Sequence, residues 1–244
     1  MNWHPLTWLA AFRARGDGEE WIDLPDISLE TLRVNLREQA WINRRLGGGR
    51  AVWRHALPFL ARCPSAPIKV LEMGCGGADL SRHLVAVARR MEKPIHVVGL
   101  DRQPTVLSCA REWCRDYPEI TLVQADALTP PFARASFDLV LLPDLLHHLP
   151  AASLAPVLQA ASRLCRGLVV VSDILRSPLA YLAFLSLARV ASLSPMSRHD
   201  GALSIRRGFT PAELRALAQE ADLVHWALQR HRLFRLALTY PGTG

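Results

Sequence analysis

Lysine is scarce in this 244-residue chain: Lys69 and Lys93 are the only lysines among 29 basic residues, so the formal charge of +7 is carried by arginine. The pairs Arg44-Arg45, Arg89-Arg90 and Arg206-Arg207 are scattered through helical stretches and do not gather in one aromatic-laced stripe. That pattern reads as solvated helix faces, so no nucleic-acid partner is expected. Five cysteines without a C-x-x-C pair exclude a zinc framework and read as reduced thiols; no metal is expected. Long hydrophobic runs are missing as well. The longest, Ile174 to Leu193, is broken by Arg176, Pro178 and Arg189, which excludes a membrane span but leaves contact with a membrane surface open. Met1-Asn2-Trp3-His4-Pro5 lacks the basic start and apolar core of a signal peptide, so a cytoplasmic location is expected.

What the chain does have is an apolar strand running into a glycine-rich turn, Val70-Leu71-Glu72-Met73-Gly74-Cys75-Gly76-Gly77-Ala78-Asp79-Leu80. Glycines there let a ligand approach the backbone, and the helix that follows presents free amides. Dinucleotide pyrophosphate is excluded: Glu72 would repel it, and Asp79 replaces the third glycine of the dinucleotide fingerprint. A ligand with a nucleoside at one end and a cationic or zwitterionic group at the other fits better. His96–Asp101 is a second strand ending in a carboxylate, with Asp101 the candidate for ribose hydroxyls. Thr121–Ala127 is a third, where Asp126 and the Ala127 amide suit an adenine. Phe137 to Pro143 is a fourth strand, leading into Asp144 and the pair His147-His148.

Alternation of apolar strands with helical stretches predicts an α/β fold: a Rossmann-like, seven-stranded, mostly parallel sheet with helices on both faces. Leu168–Asp173 is the fifth strand, and Leu223 to Gln229 with Arg232 to Tyr240, joined at Arg230-His231, form an antiparallel C-terminal hairpin. Residues 1–62 are expected to form a helical cap on a domain spanning 63–244. Ser28 would N-cap the run Leu29, Leu32, Leu36, Ala40, and Gly47-Gly48-Gly49 would break it before a helix over 51–61. Residues 174–209 leave the alternating pattern and read as a lid insertion after strand five; Thr210-Pro211-Ala212-Glu213 then starts a helix with a capping box. Trp3, Trp8, Trp21 and Trp41 either roof an aromatic pocket or pack in the core.

Glu72-Met-Gly-Cys-Gly, Asp101, Asp126-Ala127 and Phe137-Asp-Leu-Val…Leu-His-His-Leu, in order over about half the chain, resemble the class I S-adenosylmethionine-dependent methyltransferases, UbiE/COQ5-like small-molecule group. One departure is that Ala78 stands where the family's last turn glycine is usual. The segments around Glu20-Trp21-Ile22-Asp23, Trp41–Gly48 and Ser197–Phe209 are similar to a bacterial branch that accompanies type III polyketide synthases. The resemblance implies S-adenosylmethionine as cofactor, held by Glu72, Gly74, Cys75, Gly76, Asp101, Arg102, Asp126, Ala127, Leu142 and Pro143. It also implies methylation of a small phenolic, polyketide-derived or quinone-like acceptor by a monomer or homodimer. Carbon methylation of a quinone precursor, cofactor binding without turnover, and RNA methylation are the alternatives. A phenol of pKa about 10 needs a base at neutral pH. His199, beside Asp200, is the preferred candidate and His147 the second; otherwise Arg198-His199-Asp200 is a turn tying the lid to the body, and His147-His148 packs or caps a helix.

Overall fold

In the computed structural model residues 11–64 and 66–244 are described. Seven strands form one sheet in the order β3-β2-β1-β4-β5-β7-β6. They are β1 Ile68–Met73, β2 Ile95–Asp101, β3 Ile120–Gln124, β4 Phe137–Pro143, β5 Cys165–Ile174, β6 Ala227–His231 and β7 Arg235–Pro241. The first five are parallel; β7 runs antiparallel to β5, and β6 to β7.

The near-continuous apolar character of the central strands follows from burial on both faces. Leu71, Val98, Val140, Leu142 and Val171 point into one core, with helices α5 Ala151–Leu164 and α8 Pro211–Glu220. Val70, Val97, Leu139, Leu141 and Val170 point the other way, against α2 Gly48–Arg62 and α3 Asp79–Arg90. The period-two alternation of a strand places successive residues in opposite cores. Asp138, inside β4, accepts from the Lys69 amide at 2.9 Å and from Arg166 Nε at 2.7 Å, which makes it a tie between β1, β4 and β5.

Ahead of the sheet, α1 Leu29–Arg45 starts as expected, with the Ser28 hydroxyl accepting from the Thr31 amide. Leu32 and Leu36 are buried, but Leu29 is exposed and drops out of the apolar stripe. The glycine break is confined to Gly47, which is left-handed at φ 80°; Gly48 and Gly49 belong to α2. A Cβ at Gly48 would stand 3.0 Å from Arg235 Nη2, so close packing rather than chain breaking explains that glycine. Residues 11–27 are not the expected helix. They form a strap with a single 3-10 turn, Trp21–Asp23, whose backbone groups bond to distant side chains: Asp200 accepts from the Trp21 and Ile22 amides at 2.7 and 3.1 Å, and Arg176 donates to the Phe12 carbonyl at 3.0 Å.

After β5 the chain makes an excursion through α6 Pro178–Val190 and α7 Pro195–Arg207, and its ends are pinned together. Phe209 N donates to Ile174 O at 2.9 Å and Arg176 N to Phe209 O at 2.9 Å. A Cβ on Gly208 would lie 2.5 Å from Ile174 O, so the return demands glycine. The capping box of Thr210 and Glu213 is complete, and Glu213 also accepts from the buried Arg176 at 2.5 Å. The hairpin turns three residues later than the sequence suggests, at Leu233 and Phe234, both with φ near 60° (59° and 57°). Apolar residues in left-handed conformation carry no turn signature, and this pair holds it because Phe234 O accepts from Leu175 N at 2.8 Å. Among the described residues no helix is long and apolar enough to cross a membrane, and all five cysteines are buried free thiols.

Candidate active site

The C-terminal ends of β1, β2 and β4 open on a cavity of about 1300 Å³. This is the crevice where ligands settle in open α/β sheets, and it exceeds the ~300–1,000 Å³ of a typical single-ligand pocket. Its first wall is the turn after β1. Gly74 and Gly76 have φ of 73° and 51°; a Cβ on Gly74 would lie 2.8 Å from Leu145 Cδ1, and one on Gly77 2.8 Å from the Trp113 ring. At Gly76 it would meet nothing nearer than Leu36 at 4.0 Å, so this backbone is open to the cavity. Ala78 takes the left-handed conformation itself (φ 55°) and precedes α3, its methyl buried against Ala110 and Cys114. The turn therefore keeps its shape without the third glycine, at roughly 1–2 kcal/mol of backbone strain.

Glu72 is buried at the base of this wall and accepts a hydrogen bond from Ser81 Oγ. Burial pushes its carboxyl up to about 8, the Ser81 bond opposing and the charges of Asp79 and Asp101 adding to the rise. The unfolded chain ionises near 4.5, so this group's contribution to stability is full below that pH and is lost as pH climbs toward 8. The melting temperature of the ligand-free protein is therefore expected to fall between pH 5 and 8. In Glu72→Gln that slope flattens; a wild-type slope retained by the variant assigns the effect elsewhere.

Asp101, at the end of β2, accepts from the Gly76 amide at 2.9 Å and from the Gln103 amide at 3.0 Å, which locks β2 to the glycine turn. Burial raises its pKa against these two bonds. Asp126 makes an Asx turn, accepting from the Leu128 amide at 2.8 Å, and Ala127 lies beside it on the wall.

A histidine and carboxylate cluster follows β4. His147 is buried; its Nδ1 lies 2.8 Å from Asp173 Oδ1, and its amide donates to Asp173 Oδ2 at 3.2 Å. Burial would raise the Asp173 pKa, but His147 holds it below the usual carboxylate range. An ionised Asp173 accepts only, so the proton sits on Nδ1 and the basic lone pair on Nε2. That Nε2 faces Glu20 Oε1 at 3.8 Å. Neighbouring His148 donates to Asp23 Oδ2 at 2.9 Å; burial would push its pKa down, yet Glu20, Asp23 and Asp173 hold it up to about 9. Asp23 in turn sits at about 2, burial being outweighed by His148 and Arg102. The carbonyls of this turn are gripped by two arginines: Arg207 donates to His147 O and His148 O at 2.7 and 2.8 Å, and Arg15 to His147 O and Leu149 O at 3.2 Å each. One comes from the strap and one from α7, so both flanking segments set the position of His147.

The far wall is apolar, built by Ala180, Phe184 and Leu187 of α6 with Ile42, Ile205 and Phe234. The cleft thus has a wall of carboxylates and glycines, an apolar compartment, and His147 on its lining.

A family model described as a methyltransferase domain matches residues 70–167, the half of the sheet that carries the turn, Asp101 and Asp126. The ubiquinone biosynthesis O-methyltransferase of Pseudomonas aeruginosa is 35% identical over 164 residues, 64% of each chain. Residues 70–167 thus match a methyltransferase domain, and the relatives that the chain resembles over a longer stretch are named methyltransferases. It spans about two thirds of the curated O-methyltransferases it matches, 64% of the Pseudomonas enzyme. The 2-phytyl-1,4-naphtoquinone methyltransferase of Thermosynechococcus vestitus is 43% identical over 67 residues, 28% of each chain. In fold, the chain is similar to a SAM-dependent methyltransferase from Aquifex aeolicus, with a TM-score of 0.59 at 11% identity over 88% of this chain and 98% of that one. The DszA carbon methyltransferase gives 0.60 at 19% identity over 80% and 54%.

The wall fits the methyltransferase cofactor. The opening at Gly76 admits a ligand backbone-close, and Asp101 and Glu72 supply acceptors on the same wall, the donor set that a cofactor with vicinal hydroxyls and an ammonium group calls for. Glu72, Gly74, Cys75, Gly76, Asp101, Asp126, Ala127 and Pro143 all line the cavity. Arg102 lines it too, its guanidinium held by Asp23 at 2.9 Å. Leu142 does not: it is fully buried in the sheet core, so of the two residues expected after β4 only Pro143 reaches the wall. Asp144 is paired with the buried Arg235 rather than directed to solvent.

His199 is a correction. It is off the cavity wall, 39% exposed and stacked on Trp21 at 4.4 Å, while its partner Asp200 caps the 3-10 turn of the strap. Arg198-His199-Asp200 does tie the post-β5 segment to the body, as part of α7 rather than as a turn. Trp21 and Trp41 do not roof the pocket either; Trp53 and Trp113 line it, and Trp3 and Trp8 lie outside the described residues. Sequence reasoning missed Glu20 and Asp173. Asp173 ends a strand beside the cleft, the same signal that singles out Glu72, Asp101 and Asp126.

Proposed function

We propose that this methyltransferase methylates the phenolic hydroxyl of a small, largely apolar, quinone-like aromatic acceptor. The observation that carries the reading is the His147–Asp173 pair on the lining of a cleft with an apolar compartment. When bound, S-adenosylmethionine supplies an electrophilic methyl group on a sulfonium. Glu72, Asp101 and Asp126 would hold that cofactor against the glycine turn. His147 Nε2 takes the phenolic proton, Asp173 fixes the tautomer and stabilises the imidazolium, and the strap with α6 and α7 excludes water from the acceptor side. The names of the relatives support a quinone-type acceptor over a polyketide product.

Calorimetry with S-adenosylmethionine and S-adenosylhomocysteine, followed by turnover of a catechol and hydroquinone panel, tests this. Asp101→Ala is expected to weaken binding of both by roughly 10- to 100-fold, the worth of charge-assisted hydrogen bonds to ribose. Binding without turnover of any phenol would overturn the acceptor reading and leave the fold assignment intact. Carbon methylation is the second reading, favoured by the naphtoquinone methyltransferase relative, and is recognised by a product whose new methyl sits on ring carbon.

A further inference from the structure

Helix α6 is apolar except for Ser186 and Arg189, and a helix of that composition is ordinarily buried on most sides. Here, among the described residues, one face packs and the other does not. Ala180, Phe184 and Ala188 are buried against Phe12, Leu193 and Ile205, and the wall of the cleft is made by Phe184 and Leu187. On the opposite side Leu179 is 64% exposed, Leu182 45%, Leu185 39% and Val190 84%. Their spacing places them on one contiguous arc of roughly half the helix circumference. Leu233, in the β6–β7 turn that packs on this cluster through Phe234, is 44% exposed and extends the patch.

The segments that form this patch carry positive charge and no carboxylate. From Ile174 to His199 the chain contains no Asp or Glu, and from Leu223 to Gly244 none either. Exposed Arg13, Arg45 and Arg232 adjoin Phe12, Leu46 and Leu233, and exposed Arg189 lies on α6 itself. Glu38, near the end of α6, is occupied by the Ser194 amide and hydroxyl at 3.0 and 2.6 Å. A leucine-rich arc rimmed by arginines is complementary to an anionic lipid surface: the acyl boundary takes the side chains and the headgroups take the guanidinium groups. A second copy of this chain would set one cationic rim against another.

We propose that α6 is an interfacial helix that seats this methyltransferase on an anionic membrane surface, with the acceptor compartment directly behind it. Because the same helix is the wall of that compartment, seating brings the apolar end of the cleft to the lipid. The proposal does not depend on which atom of the acceptor is methylated, and its test needs no acceptor.

The test is co-sedimentation of the full chain with vesicles of phosphatidylglycerol and phosphatidylcholine, compared with phosphatidylcholine alone. Wild type is expected to sediment with the anionic vesicles and at least about tenfold less with neutral ones. Leu182→Gln/Leu185→Gln, and separately Arg189→Glu, should each lose about tenfold or more in partition while calorimetric affinity for S-adenosylmethionine stays at the wild-type value. Three outcomes overturn it: wild type left in the supernatant with anionic vesicles, variants that sediment like wild type, or a lipid-free dimer by light scattering that the leucine double variant dissociates. Failure of the acceptor reading shows instead as missing turnover of soluble phenols, with no vesicles present.

Discussion

Replacing His147 by asparagine is expected to lower kcat for a phenolic acceptor by about 10²–10⁴-fold, the usual contribution of a positioned general base, with cofactor affinity unchanged. Asparagine is smaller and can still donate toward Asp173, so the buried carboxylate keeps a partner. The loss should shrink for acidic phenols already ionised at the assay pH, which need no base; a uniform loss across the panel would assign His147 a structural role. Asp173→Asn should reproduce much of the effect, because an amide can donate to Nδ1 and so favour the proton on Nε2. His199→Asn is the control. It sits outside the cleft, so kcat should stay within about twofold of wild type, and a larger drop would restore it as the base.

The second large effect concerns stability. Arg176 is buried, and its guanidinium donates to Phe12 O and Gly208 O at 3.0 and 2.7 Å and to Glu213 at 2.5 Å. It binds together the strap, the return point after α7 and the start of α8. Arg176→Met keeps the volume but removes the bonds to the Phe12, Arg13 and Gly208 carbonyls and to Glu213, at a cost of about 3 kcal/mol or more. For a chain of this size that is a drop in melting temperature on the order of 10 °C. Arg176→Lys should recover little of it, since one ammonium cannot reproduce the divergent bonds of the guanidinium fork. A lysine variant melting with wild type would show that charge, not the fork, holds the segments.

Much of the glycine-turn wall of the cleft was legible because its signals are local. A strand that ends in a carboxylate beside a glycine turn announces a cleft, and Glu72, Asp101 and Asp126 were each readable that way. The acceptor half was not, because its contacts join residues far apart in sequence: Glu20 reaches His147 and Ser204, and Asp200 caps the strap at Trp21. Neighbourhood in sequence paired His199 with Asp200 correctly, at 2.9 Å, but carried no sign that His199 stacks on Trp21 away from the cleft wall while Asp200 also caps the strap. The positive-φ turn at Leu233-Phe234 carries no Asn or Gly, which left the hairpin displaced by three residues. Gly48 and Gly49 read as chain breakers until the side chains of Arg235 and Trp53 were seen pressing on them.

The excursion after β5 begins and ends at one place, where Phe209 and Arg176 exchange backbone bonds across Ile174. A segment with such a narrow neck is a cassette. Its contents can be lengthened or swapped at a closure cost of about 0.6 kcal/mol per doubling of length, with no demand on the register of β5 or the start of α8. The glycine turn and the carboxylate wall lie outside the cassette, while α6 and α7 inside it build the apolar compartment beside His147. Grafts that alter the apolar compartment are therefore expected to be tolerated between Arg176 and Gly208, provided both of these are kept and each graft returns an arginine to the carbonyls of His147 and His148.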